Sequence, residues 1–212
     1  MRDIPSPVPG EPRLNRRQAA KIRTRGKVLD AARTLFAERG YDAATIRDIA
    51  KGAGMSTGAV FANFQDKAEL FETVLADEMG DLLTALQGGT PRDGRVAERL
   101  TAALAAGYHR SLDQLPLMQA TIARSWFQPV EADRRSRLLS QPLIDSVIAV
   151  LREGVASGEV KQDADVTLLG GLIWTVFTGN FRRAAYDGWD LAQLESHLKT
   201  QIDAILAGHL TR

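Results

Sequence analysis

The chain has 212 residues, 44% of them apolar and 25% charged, which suffices for one large domain, or a small one joined to a larger, and excludes global disorder. It holds no cysteine, so disulfides, thiolate zinc sites and thiol catalysis are excluded, in keeping with a reducing cytoplasm. The net charge of +1 hides an asymmetry: residues 1–67 carry 13 basic and 7 acidic side chains, the remainder 14 and 19, so the basic part alone suits a polyanion partner.

Residues 1–14, rich in proline and without an apolar core, read as a disordered tail. Leu29, Ala32, Leu35 and Phe36 mark a helical stripe, predicting a first helix from Asn15 to Arg39 with Gly40 as its stop and Gly26 weakening its first half. Thr45, with Asp48 three residues on, caps a second helix over Ile46–Gly52 whose inward face is Ile46, Ile49 and Ala50. Ala53-Gly54-Met55 is a tight turn. Ser56 then caps a third helix ending near Ala62, and Asp66 a fourth with Leu70, Phe71, Val74 and Leu75 buried.

Beyond Gly88-Gly89-Thr90-Pro91 the pattern stays helical. Leu100, Leu104 and Tyr108 space one helix; further helices are expected over 115–127, 138–155, 164–185 and 191–209. No alternating strand pattern and no internal repeat stands out, so the fold class is all-α. The longest apolar run, residues 168–177, is well short of the roughly 20 residues that cross a bilayer, and no membrane partner is expected. His109, His197 and His209 have no ligand-spaced neighbours, so no metal site is expected.

Two short helices meeting at a large angle need a small residue where the backbones approach and a residue that turns sharply between them. Ala50 and Gly54 fit those roles, and Ile49, Met55 and Val60 would fill the shared core. This is the pattern of a helix-turn-helix, although other αα-hairpins place alanine and glycine similarly. The third helix, about 10 Å long, suits a major groove about 12 Å wide. The run RLNRRQAAKIRTRGKV, residues 13–28, has seven basic residues and no acid. It supplies phosphate attraction or is simply a solvated cationic helix end.

Residues 29–75 resemble the N-terminal domain of the tetracycline-repressor (TetR) family. Ala32, Phe36 and Gly40 match in the first helix, Thr45, Ile49, Ala50, Gly54, Ser56 and Gly58 in the motif, then Phe64, Lys67 and Leu70. The family usually has a tyrosine where Phe61 stands, and often a second tyrosine or a histidine where Asn63 stands. The resemblance implies a helix-turn-helix DNA-binding domain over 15–67 and a larger helical effector-binding and dimerisation domain over 68–212. Thr45 would cap and touch a phosphate, and Arg47 would reach a base edge. Ser56, Thr57, Gly58 and Ala59 would open the reading helix in the groove, with Phe61, Asn63 and Lys67 along the backbone. The plainer alternatives are a cap for Ser56, half-buried core for Phe61, and solvated charges for Arg47 and Lys67.

The same resemblance implies a homodimer through the last two helices, where Gly170, Gly171 and Gly179 would permit close crossing; the alternative is a buried core helix within one chain. It also implies a double-stranded palindromic operator and a small-molecule effector pocket. Tyr108, His109, Met118, Trp126, Phe127, Trp174 and Phe177 are its candidate lining, with His109 and Arg124 as polar groups; the alternative for the aromatics is plain core. The expected function is a cytoplasmic, ligand-responsive transcriptional repressor, released from DNA by its effector. The competing readings are an all-α enzyme or ligand carrier and a protein-interaction module. The sequence offers no phosphate loop, convincing carboxylate pair or base-activated nucleophile, so no catalytic residue and no cofactor is expected.

Overall fold

A computed structural model describes residues 15–211, and the expected tail lies outside them. Among the described residues are nine helices and no strand beyond an isolated bridge between Val160 and Leu210. They are α1 (Arg16–Ala43), α2 (Ile46–Gly52), α3 (Thr57–Phe61), α4 (Lys67–Gly89) and α5 (Val96–Leu112), then α6 (Leu115–Ser125), α7 (Val130–Ser157), α8 (Val166–Asp187) and α9 (Leu191–Leu206).

Helix α1 starts where the sequence placed it, on a capping box. The Asn15 side chain accepts from the Gln18 amide at 2.8 Å, and the Gln18 side chain accepts from the Asn15 amide at 2.9 Å. Gly26 leaves it unbroken. Gly40 kinks it, at φ 74°, and three further residues return to helical geometry, so the expected stop is a bend. Helix α3 has five residues between the caps Ser56 and Ala62.

Helix α7 departs most from expectation. It begins at Val130, eight residues before Leu138, and runs through Pro142. Its first turns, Val130–Arg137, carry almost no apolar stripe, because they are held by charge. Glu131 and Asp133 sit in the first turn, where the helix dipole favours anions, and Arg137 Nε donates to Asp133 Oδ2 at 2.7 Å. Two other ends move inward. Helix α6 stops at Ser125, short of Phe127, and α9 at Leu206, short of His209. After Leu206 the chain turns so that the Lys161 amide donates to the His209 carbonyl and the Thr211 amide to that of Glu159, both at 2.9 Å.

The core is continuous from α1 to α9. Phe36, Ile49, Val60, Phe64, Leu70 and Phe71 fill the N-terminal part; Leu86, Leu100, Tyr108, Phe177, Phe181 and Leu198 fill the centre. Gly170 lets α8 lie directly on α7: a Cβ there would stand 2.5 Å from Ile148 Cγ1. That corrects its assignment to the dimer seam, whereas Gly171 and Gly179 meet nothing within 4 Å of such a Cβ.

The α1–α4–α5 junction is charged. The Glu78 carboxylate, 7% exposed, accepts from Arg33 Nε of α1 at 2.8 Å and from Arg110 Nη2 of α5 at 3.2 Å. Asp81 also binds Arg110, and these two acids raise the guanidinium's pKa above its ordinary value. The N-terminal helix is thereby tied to the body at a fixed place.

Candidate DNA interface and effector cavity

Two caps and a turn set the geometry of α2 and α3. Thr45 Oγ1 accepts from the Asp48 amide at 3.1 Å and donates to Asp48 Oδ2 at 2.8 Å. The turn closes with the Met55 amide on the Ala50 carbonyl at 2.8 Å, and Gly54 takes φ 68°, which side chains with a Cβ rarely adopt. Ser56 Oγ accepts from the Ala59 amide at 3.2 Å. Ile49 and Val60 are buried between the two helices as expected, with Ala50 buried at their approach, while Met55 is half-buried against that core.

This leaves the opposite face outward. Arg47, Lys51, Ser56, Thr57 and Gly58 are exposed, Ala59 is half-buried, and the Phe61 ring is 54% exposed, so it is not core. Arg47 and Lys51 have no acidic partner among the described residues, nor do the exposed Arg16, Lys21, Arg23 and Lys27 of α1. One cation of the basic run has a structural task instead. Arg25 Nη1 donates to the Asn63 carbonyl at 2.8 Å, and its guanidinium lies 4.1 Å from the Phe64 ring centre.

Two expected backbone contacts are reassigned. Asn63 turns its amide inward: Nδ2 donates to the Ala59 carbonyl at 2.9 Å, and Oδ1 is buried without a partner. Lys67 turns inward too. Its ammonium donates to the carbonyls of Tyr41, Asp42 and Ala44 at 2.9, 3.2 and 3.1 Å. All three of its donors are used, so nothing remains for a phosphate. Lysine at this place holds the end of α1 and the approach to α2.

The larger part contains a cavity of about 460 Å³ between α4, α6, α7 and α8, within the range of small-molecule sites. Leu75, Met79, Leu82, Met118, Ile122, Trp174 and Phe177 form its apolar wall. Gln128, Asp133, Ser136, Arg137, Thr178 and Arg182 stand at its polar side. Arg137 holds the Asp133 carboxyl below the usual carboxylate range through their hydrogen bond. Arg182 has no carboxylate partner among the described residues; its guanidinium lies 5.1 Å from the Tyr186 ring centre.

The expected lining divides. Met118, Trp126, Trp174 and Phe177 face the cavity. Tyr108 does not. It is fully buried behind Phe177, its hydroxyl donating to the Phe177 carbonyl and accepting from Asn180 Nδ2, both at 3.1 Å. His109 is exposed on the outer face of α5, and Phe127, 91% exposed, is not part of the cavity's lining. Arg124 lies on the other side of α6, its guanidinium 3.5 Å from the Tyr41 ring centre. The polar lining on α7 was missed because Asp133, Ser136 and Arg137 lie before residue 138, where the apolar stripe placed the start of the helix, and Ser140 carries no apolar signal. Only their i, i+3, i+4, i+7 spacing signalled a shared face.

Comparisons with known proteins agree with this geometry. Residues 28–74 match the family model described as bacterial regulatory proteins, tetR family. The chain is 30% identical over 156 residues to the HTH-type transcriptional repressor KstR2 of Mycolicibacterium smegmatis, covering 68% of this chain and 71% of that one. It is 25% identical to the fatty acid metabolism regulator protein of Bacillus subtilis, over 70% of this chain and 76% of that one. Its fold is similar to that of FadR from Bacillus subtilis, solved in complex with stearoyl-CoA, with a TM-score of 0.76 at 20% identity over 86% of this chain and 98% of that one. No described helix is long and apolar enough to cross a membrane. The chain belongs to the tetR family of bacterial regulatory proteins, and is therefore a DNA-binding transcriptional regulator and not an enzyme.

Proposed function

We propose that this chain is an effector-released repressor. Residues 15–67 form the DNA-binding part and residues 68–212 the part that dimerises and holds the effector. The observation that carries the reading is the outward face of α2 and α3, where Arg47, Thr57 and Gly58 are exposed beside unpaired cations while Val60 alone of α3 is buried. Arg47 reads a base edge, guanine being the usual choice for arginine, and Ala59 meets a thymine methyl. Phe61 lies against the sugar-phosphate backbone, and Thr45 and Ser56 cap and contact it. Lys67 and Asn63 position the motif from inside.

One such motif reads few base pairs, so two copies related by a two-fold axis read a palindrome. Leu168, Leu172 and Tyr186 are exposed along α8, beside the open Gly171 and Gly179, and with α9 they suit a four-helix seam with the partner. The cavity's apolar wall and its unpaired Arg182 suit an amphiphile with a long apolar body and an anionic end, a class that includes the stearoyl-CoA bound by FadR. Repression follows if that molecule prefers the conformation that does not bind DNA. A regulator of this kind works in the cytoplasm, where its DNA is.

The test is in vitro selection of duplexes on the purified protein, then gel shift with and without stearoyl-CoA. Enrichment of a palindrome that is released by micromolar acyl-CoA supports the reading. Failure to enrich any sequence contradicts it; enrichment without release contradicts the effector class alone.

A further inference from the structure

Helix α6 has two working faces. Met118, Thr121, Ile122 and Ser125, at i, i+3, i+4 and i+7, line the cavity. Arg124 projects from a different side, towards the N-terminal domain, where its guanidinium lies 3.5 Å from the Tyr41 ring centre and 5.3 Å from that of Phe71. Among the described residues its guanidinium has no hydrogen bond and no carboxylate partner, so its interactions with these rings are what it makes across the gap.

Tyr41 is placed to pass a displacement on. It follows the Gly40 kink, packs edge-on against Phe71 at 5.1 Å, and gives its carbonyl to the Lys67 ammonium. That ammonium also holds the Ala44 carbonyl, one residue before the Thr45 cap of α2. Direct contacts therefore run from the cavity wall through Arg124 and Tyr41 to the start of the helix-turn-helix. A guanidinium on a ring, without an ion pair to anchor it, is a contact that can be made and broken readily.

We propose that Arg124 is a positioning residue: its stack on Tyr41 transmits the state of the cavity to the helix-turn-helix. The proposal rests on the reading of the cavity as the effector site. Linkage is reciprocal, so it can be tested from the DNA side without knowing the effector. The probe is the duplex enriched by selection on the wild-type protein, and the readout is hydrogen exchange of the amides of residues 115–125 with and without it.

In the wild type the duplex should change exchange in α6 by about fivefold or more. Arg124→Ala should still bind the duplex, yet its α6 exchange should stay within about twofold of the free protein. Arg124→Lys should restore the response, because an ammonium can also sit on the ring. Tyr41→Leu should silence α6 as Arg124→Ala does, with no further effect in the double variant. A wild-type response in either Arg124→Ala or Tyr41→Leu overturns the proposal. So does an α6 that ignores a duplex the protein binds. If no duplex binds at all, the repressor reading falls as well, which is a distinguishable result.

Discussion

Lys67 is joined to Tyr41 twice: its ammonium donates to the Tyr41 carbonyl at 2.9 Å and lies 4.3 Å from the centre of the Tyr41 ring. The last carbonyls of a helix lack intrahelical partners and carry partial negative charge. A lysine from the first turn of α4 supplies that charge complement to the end of α1.

Lys67→Met should therefore act first on stability. Losing the donors to three carbonyls should cost about 1–3 kcal/mol in urea denaturation. Affinity should fall alike for the selected duplex and random DNA, while the salt slope changes by much less than the roughly 0.9 unit that one lost phosphate contact removes. A full loss of that slope in a stably folded variant would return Lys67 to the phosphate backbone.

Glu78→Gln should be more damaging. It leaves Arg33 and Arg110 facing each other across a mostly buried site without their shared anion. Breaking such a group costs about 3–5 kcal/mol when fully buried, and about 2–3 is expected here because both guanidinium groups keep some solvent. Thermal unfolding measures this. Replacing both arginines by Met in the Glu78→Gln background should recover part of the loss; no recovery would mean that the charges are not the cause.

Tyr108 gives a pH signature. Burial pushes its hydroxyl well above the ordinary tyrosine value of 10.0, against a smaller opposing effect of the Asn180 hydrogen bond. A pKa raised on folding stabilises the protein below the unfolded value and progressively less above it. Stability should thus be undiminished by this group below about pH 10 and decline above it. Tyr108→Phe should cost about 1 kcal/mol at pH 7 and flatten the decline between about pH 10 and 11. Denaturant midpoints across that range check it; an equally steep decline in the variant would contradict it.

The α8 seam is tested by Leu172→Glu, which places a charge on an exposed apolar position of α8. Light scattering should show a monomer whose helical content is unchanged, and duplex affinity should fall towards the non-specific range of about 10⁻⁴–10⁻⁶ M. A persistent dimer would move the interface elsewhere.

The helix-turn-helix was legible because local chemistry fixes it: Thr45, Ser56 and Asp66 are caps that act within three residues, and Gly54 is required by a turn. The long apolar helices were legible by period. What the sequence could not show was where a side chain's donors go across the fold. Lys67, Arg25 and Arg124 carry no mark of their partners in the sequence, yet each is committed to carbonyls or rings 23 to 83 positions away. The cavity was half legible for the same reason. Met118, Trp174 and Phe177 carry a visible apolar signal, while Asp133, Ser136 and Arg137 become lining only once α7 is packed against α4 and α8.

The central claim is that two protruding reading helices are held about one turn of B-form DNA apart. The most direct measurement compares affinity for the selected palindrome with affinity for the same duplex carrying five extra base pairs between its half-sites. The half-sites should be about 10 base pairs apart, so the insertion rotates one to the opposite side of the duplex, and binding should fall to the level of random DNA. Equal affinity for both duplexes would contradict the paired arrangement.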